Sequence, residues 1–111
     1  MMIYKVLRSQ EWSQLRSAGQ THGAPVDRAD GFVHFSTAAQ LGETLRRHFA
    51  DEGDLVLLAC DATGLGDALR WEPSRGGDLF PHLYRALTLE DVVWSQPVLH
   101  TAQGHYTGTL Q

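Results

Sequence analysis

The stretch from residue 31 to residue 61 constrains the fold most, because it runs from a strand through an amphipathic helix into a second strand. Residues 31–35 predict the first strand. Residues 37–49 predict the helix, since apolar side chains recur on one of its faces. Residues 55–60 are continuously apolar and predict the second strand. We therefore expect strands and helices to pack together in an α+β domain.

His34 and Ser36 stand at the junction between the first strand and the helix. Because side chains of a strand alternate between its faces, Phe32, His34 and Ser36 share one face if the strand persists that far. The helix start also exposes free N–H groups, which suit an anion such as a phosphate. Two structural alternatives stay open. Ser36 or Thr37 caps the helix, since Thr37 and Gln40 have capping-box spacing, and His34 is a core histidine with a satisfied ring.

Strand, helix and loop signals alternate along the rest of the chain. Residues 2–7 predict a strand, and Ser9 offers an N-cap to a helix that ends at Gly19. Residues 20–30 are polar and interrupted by glycine and proline, and a loop of this length suggests a functional role. Further strands are expected at 68–72 and 92–96, a glycine-containing loop at 73–78, and an extended segment at 79–87.

Composition limits the class of protein. With 111 residues, 42% of them hydrophobic, we assign residues 1–111 to a single domain, with residues 100–111 as a mobile tail. Cys60 is the only cysteine and lies in the apolar run, so a buried structural thiol is expected. A net charge of −4 argues against general nucleic-acid binding. No secretory signal or membrane span is visible, so we expect a cytoplasmic protein that does not bind membranes.

A second group of polar side chains surrounds a flexible pair of glycines. Arg70, Glu72 and Arg75 precede the pair, and His82 and Tyr84 follow it and share a face if their segment is extended. Donors, an acid, an imidazole and a phenol close together can bind a polar ligand. The structural alternative is an exposed ion pair between Arg70 and Glu72, worth about 0–1 kcal/mol.

Over nearly its whole length the chain resembles a small bacterial family catalogued as domain of unknown function 952. The resemblance rests on the motifs GFVHFST at 31–37, LVLLACD at 55–61, RWEP at 70–73 and GDLFPHLY at 77–84. The order of its strands and helices is also distantly similar to that of RNA 2′-phosphotransferases and, through them, to the ADP-ribosyltransferase fold.

This resemblance implies an α+β fold in which a small, bent, mainly antiparallel sheet with two flanking helices clamps NAD. It places His34 and Ser36 on the second strand, beside the nicotinamide end or a phosphate. Lys5 stands where such enzymes carry a histidine directly after Tyr4. A lysine offers a point charge to a phosphate, but it lacks the donor–acceptor pair of an imidazole.

The first functional hypothesis is an ADP-ribosyltransferase-like enzyme that cleaves NAD at its glycosidic bond, or a related phosphate-transferring enzyme. In it Glu72 stabilises the positive charge that develops on the ribose or activates the acceptor, and His34 and His82 complete the catalytic set. Arginines neutralise the pyrophosphate and an aromatic ring stacks on a flat ring of the ligand. The cofactor-binding residues expected are Tyr4, Lys5, Ser36, Arg70, Arg75, Phe80 and Tyr84.

Two alternatives stay open. One is a non-catalytic module that binds a nucleotide or another small anionic metabolite in the same cleft. The other is a metal site built from His34, His82 and Glu72, but histidines this scattered lack a local ligand spacing, so we expect no metal. A shared cleft requires convergence on one concave surface of His34, Ser36, Arg70, Glu72, His82 and Tyr84.

Overall fold

Strands and short helices alternate along the chain in the computed structural model. It describes residues 1–110 and, for Arg75, the backbone alone. The helices are α1 (Ser9–Ala18), α2 (Pro25–Asp30), α3 (Ala38–His48) and α4 (Ala62–Leu65). The strands are β1 (Met2–Arg8), β2 (Gln20–Thr21), β3 (Val33–His34), β4 (Leu55–Asp61), β5 (Leu69–Pro73), β6 (Leu79–Leu83), β7 (Leu87–Thr88), β8 (Val92–Thr101) and β9 (Gly104–Tyr106). Short 3₁₀ turns cover Gly66–Ala68, Arg75–Gly77 and Leu89–Asp91.

The strands form a curled antiparallel arrangement. One sheet has four strands in the order β1-β4-β8-β9, another has three in the order β3-β6-β5, and β2 pairs with β7. A backbone bridge joins the two larger sheets: the N–H of Tyr4 donates to the carbonyl of Ser36, and the N–H of Ser36 donates to the carbonyl of Tyr4, both at 2.8 Å. The predicted α+β fold with a bent, mainly antiparallel sheet is thus confirmed.

Apolar side chains on both faces of the four-stranded sheet fix the two longest helices. On one face, Leu7 of β1 packs in a cluster with Leu15 of α1. On the other, Leu57 of β4 packs with Leu41 and Leu45 of α3. Full burial of a leucine side chain is worth about 1.5–3 kcal/mol. The alternation of side chains along β1 and β4 therefore holds α1 and α3 on opposite faces of the sheet.

Cys60 lies in β4 and is fully buried, as the sequence predicts. Burial raises the pKa of its thiol to about 12. A thiol with so high a pKa carries almost no thiolate near neutral pH, and the thiolate is the reactive form of cysteine. Cys60 is therefore a packing residue of the core.

The ends of α1 and α3 follow from local signals. Gly19 ends α1 in a left-handed conformation with φ of 80°. Thr37 caps α3, because its Oγ1 accepts from the N–H of Gln40 at 3.2 Å while Gln40 Oε1 accepts from the N–H of Thr37 at 3.0 Å. This capping box satisfies donors at the helix start that were considered for an anion. No helix in the described part of the chain is long and apolar enough to cross a membrane.

The predicted loop over residues 20–30 is wrong, because this segment contains β2 and α2. Pro25 lies in the first turn of α2, where a helix does not use the missing N–H, and Gly31 ends the helix with φ of 85°. Asp27 caps the helix, since its Oδ2 accepts from the N–H of Ala24 at 2.7 Å. α2 is therefore a helix that the sequence analysis did not predict.

Two strand boundaries also differ from those predicted. β3 covers only Val33–His34 instead of residues 31–35. β8 continues past residue 96 to Thr101, and β9, which falls in the predicted tail, pairs with it. In this pair His100 lies opposite His105, with ring centroids 4.7 Å apart. Backbone pairing and ring stacking thus place residues 99–106 in a hairpin, although the glycine and threonine content of this segment gives little sign of structure.

Candidate functional site

A row of side chains crosses the three-stranded sheet at one level. His82 of β6 lies opposite His34 of β3 on one side and opposite Arg70 of β5 on the other. The imidazole rings of His34 and His82 meet edge to face, with centroids 5.3 Å apart. Antiparallel pairing therefore brings together two histidines that are far apart in sequence.

Glu72 of β5 orients the ring of His82. Its Oε1 lies 2.8 Å from Nδ1 of His82 and accepts from the hydroxyl of Tyr84 at 2.7 Å. The pKa of Glu72 is lowered by the hydrogen bond from Tyr84 and, to a smaller extent, by the hydrogen bond from His82. The bond between Tyr84 and Glu72 also raises the pKa of Tyr84. The guanidinium of Arg70 covers the Tyr84 ring at 5.0 Å. A carboxylate at Nδ1 selects the tautomer of His82 whose Nε2 is an acceptor.

Nε2 of His82 is buried and has no hydrogen-bond partner among the described residues. The residue is only 4% exposed. A buried polar atom without a partner costs about 1–3 kcal/mol. Phe32 stacks on the His82 ring at 4.1 Å between centroids, which adds to the orientation set by Glu72. The fold thus holds an oriented nitrogen that a ligand atom could satisfy.

Asp27 joins β1, α2 and β3 through a buried network. Its side chain accepts from Nζ of Lys5 at 2.7 Å, from the N–H of His34 at 3.0 Å and from Nδ1 of His34 at 2.6 Å. Burial by itself would raise the pKa of Asp27, but the bond from His34 and the charge of Lys5 outweigh it and lower the pKa to about 2. Asp27 is therefore ionised at neutral pH and holds both Lys5 and His34 in place.

His34 is held by carboxylates on both sides of its ring. Nδ1 faces Asp27, and Nε2 lies 3.0 Å from Oδ2 of Asp30, whose side chain is 48% exposed. A carboxylate only accepts hydrogen bonds, so satisfying both contacts requires a proton on each ring nitrogen. His34 and His82 therefore differ: contacts occupy both nitrogens of the first, whereas Nε2 of the second has none among the described residues.

Ser36 contacts a neighbouring hydroxyl and does not cap the helix. Its Oγ lies 2.8 Å from Oγ1 of Thr44, and that hydroxyl donates to the carbonyl of Gln40 at 3.2 Å. Since Thr44 uses its hydrogen on Gln40, Ser36 donates in the Ser36–Thr44 contact. The oxygen of Ser36 keeps lone pairs that can accept from a ligand.

A cleft of about 650 Å³ lies beside the bridge between the two sheets. Sequence-predicted residues that line it are Tyr4, Lys5, His34, Ser36, Phe80 and His82. Its volume is within the range of small-molecule sites, which are about 300–1,000 Å³. The cleft thus combines hydroxyls and imidazoles with aromatic surface.

A family model described as "Protein of unknown function (DUF952)" matches residues 6–95. The chain belongs to the DUF952 family. The crystal structure of protein CC0527 from Caulobacter crescentus is similar to it, with 43% identity, a TM-score of 0.91 and coverage of 95% of this chain and 92% of that chain. A double mutant of CC0527 gives 41% identity, the same TM-score and the same coverage. The solution NMR structure of CC0527 shows 43% identity, a TM-score of 0.83 and coverage of 94% of this chain and 90% of that chain. No curated protein matches this DUF952 chain.

Three other predicted residues of this DUF952 domain, Arg70, Glu72 and Tyr84, lie outside the lining of the cleft. Glu72 and Tyr84 reach it through His82, and Arg70 covers Tyr84. The side chain of Arg75 lies outside the described residues. Sequence reasoning missed several polar residues of the site, among them Asp27, Asp30 and Thr44.

Carboxylates already pair with the lysine and the arginine that line the cleft. Lys5 binds Asp27, and Nε of Arg8 donates to Oε1 of Glu52 at 2.8 Å. The bond from Glu52 raises the pKa of Arg8. Asp30 adds a half-exposed carboxylate to the lining. Among the described residues, the charges that line the cleft of this DUF952 protein are thus balanced.

Metal-ligating side chains do not gather in the described part of this DUF952 protein. No three His, Cys, Asp or Glu residues there are placed to hold a metal ion. Nδ1 of His82 and the carboxylate of Glu72 bind each other instead. The alternative of a metal site from these two residues and His34 therefore has no support in the geometry.

Proposed function

We propose that this DUF952 protein is an ADP-ribosyltransferase-like domain that binds NAD, or another nucleotide or phosphate ligand, in the cleft. The observation that carries this proposal is that His82, which lines a cleft of about 650 Å³, has a buried Nε2 without a hydrogen-bond partner among the described residues. A fixed acceptor that costs free energy when empty favours a ligand with a matching donor. The curled antiparallel sheet and the sequence resemblance support the fold relationship.

The charges of the cleft favour a ligand that carries both signs. Lys5 and Arg8 are paired, so they contribute less attraction to an anion than free cations would. Asp30 offers a carboxylate to a cationic group. NAD fits this pattern, since its nicotinamide ring is cationic while its pyrophosphate is anionic.

We assign roles from these contacts. His34, Ser36 and His82 contact the ligand, while Tyr4, Lys5 and Phe80 shape the wall around it. Glu72 acts on the ligand through His82, so it is a positioning residue of the catalytic set. Arg70 and Tyr84 extend the site beyond the cleft, and the sequence assigns Arg75 to the anionic part of the ligand.

Ligand binding tests the first part of the proposal. Thermal unfolding is measured with NAD, ADP-ribose and inorganic phosphate, each from 10 µM to 5 mM as the trial range on the order of common affinities. A ligand at about a hundredfold excess over its Kd stabilises the native state by about 2.7 kcal/mol, which is several degrees. His82→Gln should reduce this shift, whereas His100→Gln, at an exposed histidine outside the cleft, should not. No shift with any of these ligands would contradict the proposal.

Nicotinamide release from NAD tests the enzyme. Glu72→Gln keeps the size of the side chain but weakens its hold on His82, so turnover should fall while NAD binding changes little. Glu90→Gln, at an exposed glutamate, is the matched control and should retain wild-type turnover. If Glu72→Gln and wild type release nicotinamide at equal rates, Glu72 has no role in that reaction.

The contact between Lys5 and Asp27 favours the second candidate, a non-catalytic binding module. The position that carries a histidine in the resembling enzymes is here committed to a buried ion pair. A module of this kind binds nucleotide without releasing nicotinamide. Binding in the thermal assay combined with no turnover of NAD would select this candidate.

A further inference from the structure

We propose that His82 and His34 form a general base and general acid that hydrolyse a phosphodiester of a nucleotide. This inference rests on the proposed function, because the substrate has to occupy the same cleft. It adds the bond that is broken and the class of substrate. The geometry points to this pair because the two rings lie directly opposite in the β3–β6 register and both line the cleft.

His82 is built as the base. Glu72 holds Nδ1 at 2.8 Å, and the buried Nε2 is left as an acceptor without a partner among the described residues. A carboxylate at Nδ1 fixes the tautomer and stabilises the imidazolium that forms when Nε2 takes a proton. Phe32 stacked on the ring at 4.1 Å further limits its rotation.

His34 is built as the acid. Asp27 and Asp30 face its two nitrogens at 2.6 and 3.0 Å, an arrangement that two N–H groups satisfy. Asp27 is fully buried and also anchors the backbone N–H of His34, so the ring has a rigid support. Asp30 is half exposed and can turn into solvent when a leaving oxygen takes its place at Nε2.

The presence of two oriented imidazoles suits a phosphate ester better than a glycosidic bond to nicotinamide. Nicotinamide leaves NAD as a neutral molecule and needs no proton. A ribose oxygen leaving phosphorus carries negative charge unless an acid protonates it. A phosphodiester also carries a single negative charge, which a cleft with paired cations tolerates better than a pyrophosphate.

Hydrolysis of the phosphodiester requires water as its only other reactant. A water oxygen attacks phosphorus while Nε2 of His82 takes one of its protons. The bond between phosphorus and the ribose oxygen breaks, and Nε2 of His34 gives its proton to that oxygen. The product is a phosphate monoester, and exchange with solvent returns His82 to the neutral ring and His34 to the protonated ring.

Two probes with different leaving groups separate the acid from the base. Adenosine 2′,3′-cyclic phosphate has a ribose alkoxide as leaving group, whereas bis(4-nitrophenyl) phosphate releases a stable phenolate that needs no acid. His82→Gln should lower the rates with both probes by roughly 10²–10⁴-fold. His34→Gln should lower the rate with the cyclic nucleotide by a comparable factor, and the rate with the nitrophenyl ester far less. His100→Gln should leave both rates unchanged.

The ratio of the two rates keeps the test valid if a variant is less stable, because lost folded protein lowers both rates equally. Glu72→Gln, which leaves both imidazoles in place, should lower both rates less than His82→Gln does.

Equal losses with both probes in His34→Gln would overturn the role of His34 as the acid. Nucleotide binding in the thermal assay with no hydrolysis of either probe would overturn the phosphodiesterase activity and leave the proposed function standing. Absence of both binding and hydrolysis would overturn both.

Discussion

Replacing Asp27 with Asn is expected to destabilise the fold and to remove an acid-sensitive part of its stability. The contacts of Asp27 lower its pKa from 3.8 to about 2, although burial opposes the change. A difference of nearly two pKa units corresponds to about 2–3 kcal/mol. The side chain of Asp27 is fully buried, so screening by solvent reduces this free energy only slightly.

The carboxyl of Asp27 binds a proton less readily in the folded chain than in the unfolded chain. Its contribution to the free energy of unfolding is therefore complete above about pH 5 and is lost as the pH falls through about 2. At pH 7 the Asn variant also leaves Lys5 buried without its partner, which costs about 3–5 kcal/mol. The gap between wild type and Asp27→Asn should be largest at neutral pH and should shrink by about 2 kcal/mol between pH 5 and pH 2.

Urea unfolding at constant ionic strength measures this gap across the pH range. Asp78→Asn, at an exposed carboxyl, is the control and should stay within about 0.5 kcal/mol of wild type at pH 7. A gap for Asp27→Asn that stays constant from pH 5 to pH 2 would refute the reasoning, because it would mean that the folded chain does not hold this carboxyl ionised.

Three further predictions concern the fold. Thr37→Ala should lower the free energy of unfolding by about 1 kcal/mol in urea, since it removes the cap of α3; an unchanged midpoint would contradict the capping role. Gly23→Ala should lower the melting temperature far more than Gly64→Ala, because Gly23 has φ of 91° and a Cβ there would overlap the Asp27 carboxylate, whereas the Cβ space at Gly64 is open; equal losses would count against this. Cys60 should resist a thiol reagent at pH 8 until urea unfolds the chain; rapid labelling of the native protein would show that the thiol is accessible.

Local signals and strand pairing account for the parts of the fold that the sequence predicts well. The apolar stripe and the Thr37 cap define α3, and the continuous apolar run defines β4, because each signal acts over a few residues. The convergence of His34 and His82 could be anticipated only as a hypothesis. The register of β3 against β6, which places them opposite, depends on segments far apart in sequence.

The region that the sequence predicts poorly is the one around Asp27. Proline at the start of α2 and glycine after its end are ordinary helix signals, but the polar composition of residues 20–30 concealed them. The role of Asp27 also depends on Lys5, a charged residue that strand alternation places in the core of β1. No local pattern shows that a lysine and an aspartate from separate elements form one buried pair.

The backbone amides of Tyr4 and Ser36 hydrogen-bond across the two sheets, so their hydrogen exchange depends on whether the sheets stay together beside the cleft. Both residues line the cleft, so any motion that parts the sheets there exposes two amide hydrogens that are otherwise protected. The amides of β4, which is paired on both sides, exchange only when the sheet itself opens. A ligand that binds the closed cleft would slow exchange at these two positions by mass action, even where it leaves β4 unaffected. Hydrogen exchange at these two backbone amides thus measures whether a ligand occupies the cleft, whatever reaction takes place there.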